Sequence, residues 1–257
     1  QLKIFQRSAP WMYPNNSYHE KVSSSKKWLL KHIPYYARWY RFLLFWPGSD
    51  GLMPSLKVDP AWPHKDRSVN SLNDEQRKTF TNHIKETIGE DTELLRKVIP
   101  SYPPFVKRIL QDNGNWLEAL KRNNVELISD NIKEIQQDGI LTDDGEAHDL
   151  DTIIFATGFY GSEFLSSLDI KGKEGVSLKA IWGDNPEAYL GITIPNFPNL
   201  FCLYGPGTNL AHAGTIIFNS ECQMKYIMQC IKFLIDSDLK EIDCKENVNR
   251  KYNKKLQ

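Results

Sequence analysis

The chain has 257 residues and a formal net charge of zero, with 32 Lys and Arg set against 32 Asp and Glu. Hydrophobic content of 40% and charged content of 25% are those of a folded globular chain and exclude wholesale disorder. The even charge balance argues against nucleic-acid binding, which draws on a basic excess, and the four cysteines, with no C-x-x-C pair, argue against a disulfide scaffold or a zinc site.

In chain order, residues 2–6 alternate as a strand, ended by the two prolines of Ser8-Ala-Pro-Trp-Met-Tyr-Pro14. A strand opening the chain without partners beside it, and a polar run at the other end, lead us to expect a piece of a longer protein. The cysteine usage fits a cytoplasmic setting. Residues 23–123 are rich in aromatics, charges and helical spacing. The most apolar part, residues 28–46, contains Lys31, Arg38, Arg41 and a central Pro34, so no transmembrane segment is expected there. It reads as a buried helical layer, with an interfacial helix or the wall of an apolar channel as alternatives. Ser71-Leu-Asn-Asp-Glu75 begins a helix that runs to about residue 88, with Ser71 or Asn73 as its N-cap. Residues 91–98 and 116–122 read as further helices, and Tyr102-Pro-Pro-Phe105 as a stiff extended connector.

Beyond residue 124 the texture changes. Residues 125–128 and 132–135 read as short strands, and Gly139-Ile-Leu-Thr-Asp-Asp-Gly145 as a strand entering a tight turn. Two apolar runs, residues 150–156 and 200–204, read as central strands of a sheet covered on both faces. Residues 215–235 form a long amphipathic helix. The class is α/β with a helical insertion over about 20–123.

Three groups of residues can carry chemistry. Gly205-Pro-Gly-Thr-Asn-Leu-Ala-His-Ala-Gly214 joins a strand to a helix, an arrangement that offers backbone N–H groups to an anionic or carbonyl-rich ligand. It equally suits a plain loop needing small residues. In Asp151-Thr-Ile-Ile-Phe-Ala-Thr-Gly-Phe159 the Thr157-Gly158 pair permits close backbone approach by a ligand or by another chain segment. Arg7 follows the opening strand, where an arginine suits a nucleotide 2′-phosphate, and Lys107 and Arg108 follow the stiff connector. His212 lacks a nucleophile partner, and the histidines are too scattered for a metal site.

Together these segments resemble the flavin-dependent monooxygenases. The residue 151–159 segment is similar to their D-x-hydrophobic-ATG-F/Y motif. Gly172-Lys-Glu-Gly-Val-Ser-Leu178, Trp182, Ala188-Tyr-Leu-Gly-Ile-Thr-Ile-Pro-Asn-Phe-Pro-Asn-Leu-Phe201, Phe5-Gln-Arg-Ser-Ala-Pro-Trp11 and Tyr102-Pro-Pro-Phe-Val-Lys-Arg-Ile-Leu-Gln-Asp112 resemble the Baeyer–Villiger branch. Trp39-Tyr-Arg-Phe42 and Val58-Asp-Pro-Ala-Trp-Pro-His64 are most similar to its 4-hydroxyacetophenone monooxygenase group. The resemblance implies part of a fold with two dinucleotide-binding domains. Residues 1–150 would be the later part of the NADPH domain and residues 151–257 the returning part of the FAD domain. It implies FAD and NADPH as cofactors, and insertion of one O2 oxygen into a ketone, or oxidation of a nitrogen or sulfur heteroatom, through a flavin peroxide. Arg108 would be the catalytic arginine. Arg7, Ser8 and Lys107 would grip the NADPH 2′-phosphate, and Thr157, Gly158, Gly205, Pro206, Thr208 and Asn209 would lie on the FAD side. The family's G-x-G-x-x-G fingerprints and its histidine-bearing segment are absent here, so this piece by itself is expected to be inactive. A non-catalytic remnant or binding module, and a two-dinucleotide reductase, are the alternatives.

Overall fold

The computed structural model describes residues 1–15, 17–158, 163–210 and 214–256. The described chain divides into two compact units, residues 1–155 and a second that runs from Ala156 to Leu210 and resumes at Gly214.

In the first unit, β1 (Leu2–Phe5) and β2 (Met12–Pro14) precede α1 (Ser24–His32), α2 (Tyr36–Gly48) and α3 (Met53–Leu56). The long helix α4 (Ser71–Ile88) and α5 (Thr92–Val98) follow, then β3 (Leu110–Asp112), α6 (Trp116–Leu120) and β4 (Val125–Ile128). β1 pairs in parallel with β4, and β2 in parallel with β3, so the helices act as crossovers between short parallel ladders. β5 (Ile132–Gln136), β6 (Gly139–Thr142) and β7 (Ala147–Asp149) close the unit as an antiparallel meander. Its tight turn is the one the Asp-Asp-Gly sequence predicts, with Gly145 at φ 91° donating its N–H to the Thr142 carbonyl at 3.0 Å.

Helix α4 organises this unit because Phe80, Ile84 and Ile88 recur on one face. Trp11, Met12, Val98, Phe105, Leu117, Leu120 and Leu127 pack with them into one core. The cap is Asn70, one residue ahead of Ser71 and three ahead of Asn73, the two expected caps. Its carboxamide oxygen accepts the Asn73 N–H at 2.8 Å, while its Nδ2 donates to the carbonyls of Pro54 and Lys57.

The expected buried helical layer is corrected. Residues 28–46 fold as two helices broken at Tyr35, which takes φ 61°, and neither α1 nor α2 contains a buried residue. Their half-buried side chains pack between the two helices, as Lys26 over the Tyr40 ring at 4.3 Å illustrates, leaving Trp28 and Trp39 exposed. Among the described residues the two apolar runs are also not strands. Leu150 makes the last contact with the meander, to the Asp138 carbonyl, and beyond it Ile154 and Phe155 stand exposed in no ladder. Residues 200–204 lie beside the Ile192 loop, where the Cys202 N–H meets the Ile192 carbonyl at 2.8 Å, and Tyr204 turns the chain at φ 54°. A left-handed residue cannot continue a strand.

The second unit contains a short 3-10 turn (Lys173–Gly175), α7 (Leu178–Trp182), α8 (Ile216–Asp236) and α9 (Glu246–Leu256). Leu178, Trp182, Ala188, Ile194, Phe197 and Cys202 form its core. The Trp182 indole donates to the Glu187 carbonyl at 2.8 Å, which satisfies its one polar group. Lys173 bridges Glu241 at 2.8 Å and Asp243 at 3.2 Å, which holds the approach to α9 against the 3-10 turn.

Candidate functional site

The expected site residues fall into two groups, one in each unit. In the first unit, β1 ends at Phe5 and delivers Arg7 and Ser8 to the surface. The proline connector returns over the same point. Tyr102 donates its hydroxyl to the Ala9 carbonyl at 2.8 Å, and the Trp11 indole donates to the Tyr102 carbonyl at 3.0 Å. Burial raises the Tyr102 phenol above its ordinary value, so it stays a donor. Five residues on, Lys107 Nζ donates to Ser8 Oγ at 2.8 Å and lies 4.8 Å from the Tyr102 ring centroid. Two segments almost a hundred positions apart in sequence therefore meet as one corner carrying Arg7, Ser8 and Lys107. Arg108 follows directly and is exposed, on the same segment leading into β3.

Arg7 and Ser8 also line a cavity of about 370 Å³ with Arg96, Lys97, Ser101 and Tyr102, and with Ser129 and Asp130 just past β4. Cations and hydroxyls dominate this lining, with Asp130 as its one acid. Such a set suits a phosphate bearing at least two negative charges.

The sequence did not single out the group that sets the connector in place. Arg77, on α4, donates to the carbonyls of Pro100 at 3.1 Å, Tyr102 at 3.2 Å and Arg67 at 3.3 Å, and its guanidinium lies 4.9 Å from the Trp11 ring. Burial, with the nearby Arg67 charge, lowers its pKa from the ordinary arginine value. The available signal was phase: Arg77 sits three residues ahead of Phe80, in line with the core stripe.

In the second unit, Thr157 and Gly158 are exposed, and Gly158 takes φ 87° with open space where a side chain would stand. Gly205 and Pro206 are buried. A Cβ on Gly205 would overlap the Gly191 carbonyl, so this glycine serves close approach of two turns of the chain. Thr208 Oγ1 donates to the Gly205 carbonyl at 2.7 Å, and Asn209 Oδ1 accepts from the Tyr204 hydroxyl at 3.1 Å. The turn is braced by Gln223, buried on α8, which accepts the Tyr204 N–H at 2.7 Å and donates to the Leu190 carbonyl at 3.3 Å. The sequence reading missed Gln223 too, although it stands four residues from the buried Ile227. His212 and Phe159 lie outside the described residues. Among the described residues, no group of three or more His, Cys, Asp or Glu is placed to hold a metal ion.

The two groups are thus a basic corner where a parallel strand ends and a braced glycine turn ahead of a long helix. Comparison with known proteins supplies relatives over the whole chain. An uncharacterized monooxygenase of Sinorhizobium fredii is 37% identical over 257 residues, all of this chain and 39% of its own length. A Baeyer–Villiger monooxygenase of Pseudomonas aeruginosa is 30% identical over 256 residues, again the whole of this chain and 46% of its own length. Over its whole length the chain is homologous to monooxygenases that include a Baeyer–Villiger enzyme. It spans less than half the length of these two relatives. Among solved structures, OTEMO in complex with FAD and NADP matches 99% of this chain and 51% of that one, with a TM-score of 0.75 at 24% identity. The open form of cyclohexanone monooxygenase matches 98% and 53%, with a TM-score of 0.74 at 24% identity. The fold is thus that of about half of each of these structures. No protein-family model matches the chain.

Proposed function

We propose that this chain is the later part of an NADPH- and FAD-dependent Baeyer–Villiger monooxygenase. Residues 1–150 would belong to the NADPH-binding domain, with its helical insertion at about 20–123, and residues 151–257 to the FAD-binding domain. The observation that carries this reading is the Lys107–Ser8 hydrogen bond beside Arg7, in a chain homologous to such enzymes from end to end.

The residues present fit the groups this reading requires. At the end of β1, Arg7, Ser8 and Lys107 present two cations and a hydroxyl to the solvent, the donor set that a 2′-phosphate needs and a free ribose hydroxyl does not. On the flavin side, Thr157 and Gly158 expose backbone with room at the Gly158 Cα, and Gly207 and Asn209 stand at the surface of the braced turn. When bound, NADPH and FAD supply the reducing equivalents and the activation of O2.

The chain's own part is to bind, orient and stabilise charge. Lys107, held between the Ser8 hydroxyl and the Tyr102 ring, gives up little freedom on meeting a phosphate. Arg108 is a permanent cation that can stabilise an oxyanion forming on a substrate carbonyl. The substrate is a small ketone, with nitrogen or sulfur heteroatoms as the second class.

Binding of 2′,5′-ADP and of 5′-AMP to the chain tests the nucleotide assignment. The first should bind more tightly, and Arg7→Ala or Lys107→Ala should each weaken it by roughly tenfold or more while leaving 5′-AMP unchanged. Equal affinity of the wild-type chain for the two ligands would contradict the assignment.

A further inference from the structure

We propose that the helical hairpin formed by α1 and α2 is a docking surface for an anionic phospholipid bilayer. On α2, Trp39, Phe42, Leu43 and Trp46 recur at the i, i+3, i+4, i+7 spacing that normally marks a buried stripe. Here they are 60%, 43%, 50% and 49% exposed. Trp39 stacks on Phe42 with ring centroids 5.3 Å apart, and Phe42 meets Trp46 at 5.5 Å, so the stripe is a continuous aromatic ridge. Trp28, on α1, and Leu44, on α2, are exposed as well.

The charges identify the partner. Between Glu20 and Asp50 the sequence holds no acid, yet it holds Lys21, Lys26, Lys27, Lys31, Arg38 and Arg41, in a chain whose total charge is zero. Tryptophan-rich apolar faces settle at the level of lipid headgroups, and lysine and arginine beside them are drawn to anionic lipid. A second copy of the chain fits poorly, because a two-fold contact would set these cations against their own copies. A nucleic acid would use the rings and the cations but leave the aliphatic Leu43 without a match, whereas the acyl region of a bilayer takes up both kinds of side chain. No helix among the described residues is long and apolar enough to cross a membrane, so the hairpin would lie in the interface plane. Helix α8 provides a contrast: it exposes Ile217 and Phe233, but mixes Glu221 and Asp236 with Lys225 and Lys232 and so lacks the charge match.

The test is flotation of the chain with vesicles of phosphatidylcholine alone or mixed with phosphatidylglycerol. The chain should float with the anionic vesicles only and be released by salt. Lys27→Gln with Lys31→Gln should lower the bound fraction roughly tenfold. Trp39→Ser with Leu43→Ser should abolish binding at an unchanged melting temperature, because those side chains are exposed. Ile217→Ser on α8 should leave binding intact. Flotation equal with neutral vesicles, or indifferent to the hairpin variants, would overturn the proposal. So would self-association that Trp39→Ser abolishes. The same assay on the whole enzyme must also show flotation; its loss there would assign the hairpin face to a contact within the enzyme and overturn the proposal.

Discussion

Lys107 is held by a hydroxyl on one side and an aromatic ring on the other, and that placement depends on Arg77. The Arg77 guanidinium spans three carbonyls at a spacing that a lysine ammonium cannot reproduce. Arg77→Lys should therefore weaken 2′,5′-ADP binding more than 5′-AMP binding, and lower stability by about 1–3 kcal/mol. Unchanged selectivity in that variant would reduce Arg77 to a packing role. Arg108 is tested in the whole enzyme, where Arg108→Ala should abolish ester formation from a ketone while FAD stays bound. Wild-type ester yield from that variant would remove it from the chemistry. Asp74 gives a pH prediction. Burial raises its carboxyl pKa, but the Ser68 hydroxyl bond and the Arg67 guanidinium, 3.0 Å away, outweigh this and leave it below the ordinary value. A carboxyl lowered on folding adds stability that is present above the unfolded value of about 4 and is lost as the pH falls through the folded one. The melting temperature should fall in that acid range, and Asp74→Asn should flatten the fall.

At the scale of elements, α8 braces the Tyr204 turn through the buried Gln223 amide. Gln223→Leu would leave the Tyr204 N–H and the Leu190 carbonyl without their partner, at a cost of about 1–3 kcal/mol. Thermal unfolding should report the loss, and an unchanged melting temperature would mean that the turn is held elsewhere. The contrast between helices and strands explains what was legible in the sequence. Helix α4 could be read because its signals are local: Phe80, Ile84 and Ile88 in phase, a cap near residue 71 and a glycine at 89. Residues 150–156 have the composition of a central strand, but a strand exists only with neighbours, and among the described residues none pairs with this run. The stripe on α2 misled for the opposite reason, since periodicity reports amphipathicity and says nothing about what covers the apolar side. Arg7, Lys107 and Arg108 are candidates from their places after the opening strand and the stiff connector, but only family resemblance gives them a common role, because the Ser8–Lys107 contact joins positions no local pattern connects. Arg77 and Gln223 were passed over as single polar residues within apolar stripes. Their phase with the core was the clue.

At the scale of the whole molecule, the two compact units correspond to part of an enzyme fold roughly twice the length of this chain. One unit carries the basic corner of Arg7, Ser8 and Lys107, proposed to bind phosphate, the other the braced glycine turn, and the helical hairpin of the first presents a basic aromatic surface. The central claim is that these parts belong to a protein that transfers oxygen to a ketone. The measurement that tests it most directly is incubation of the whole enzyme with NADPH, a panel of small cyclic ketones and oxygen-18 gas, followed by mass analysis of the products. The account predicts a lactone carrying one labelled oxygen atom, with NADPH consumed in step. NADPH consumption with no labelled product would contradict the claim, and absence of both would leave a binding module that keeps the fold without the chemistry.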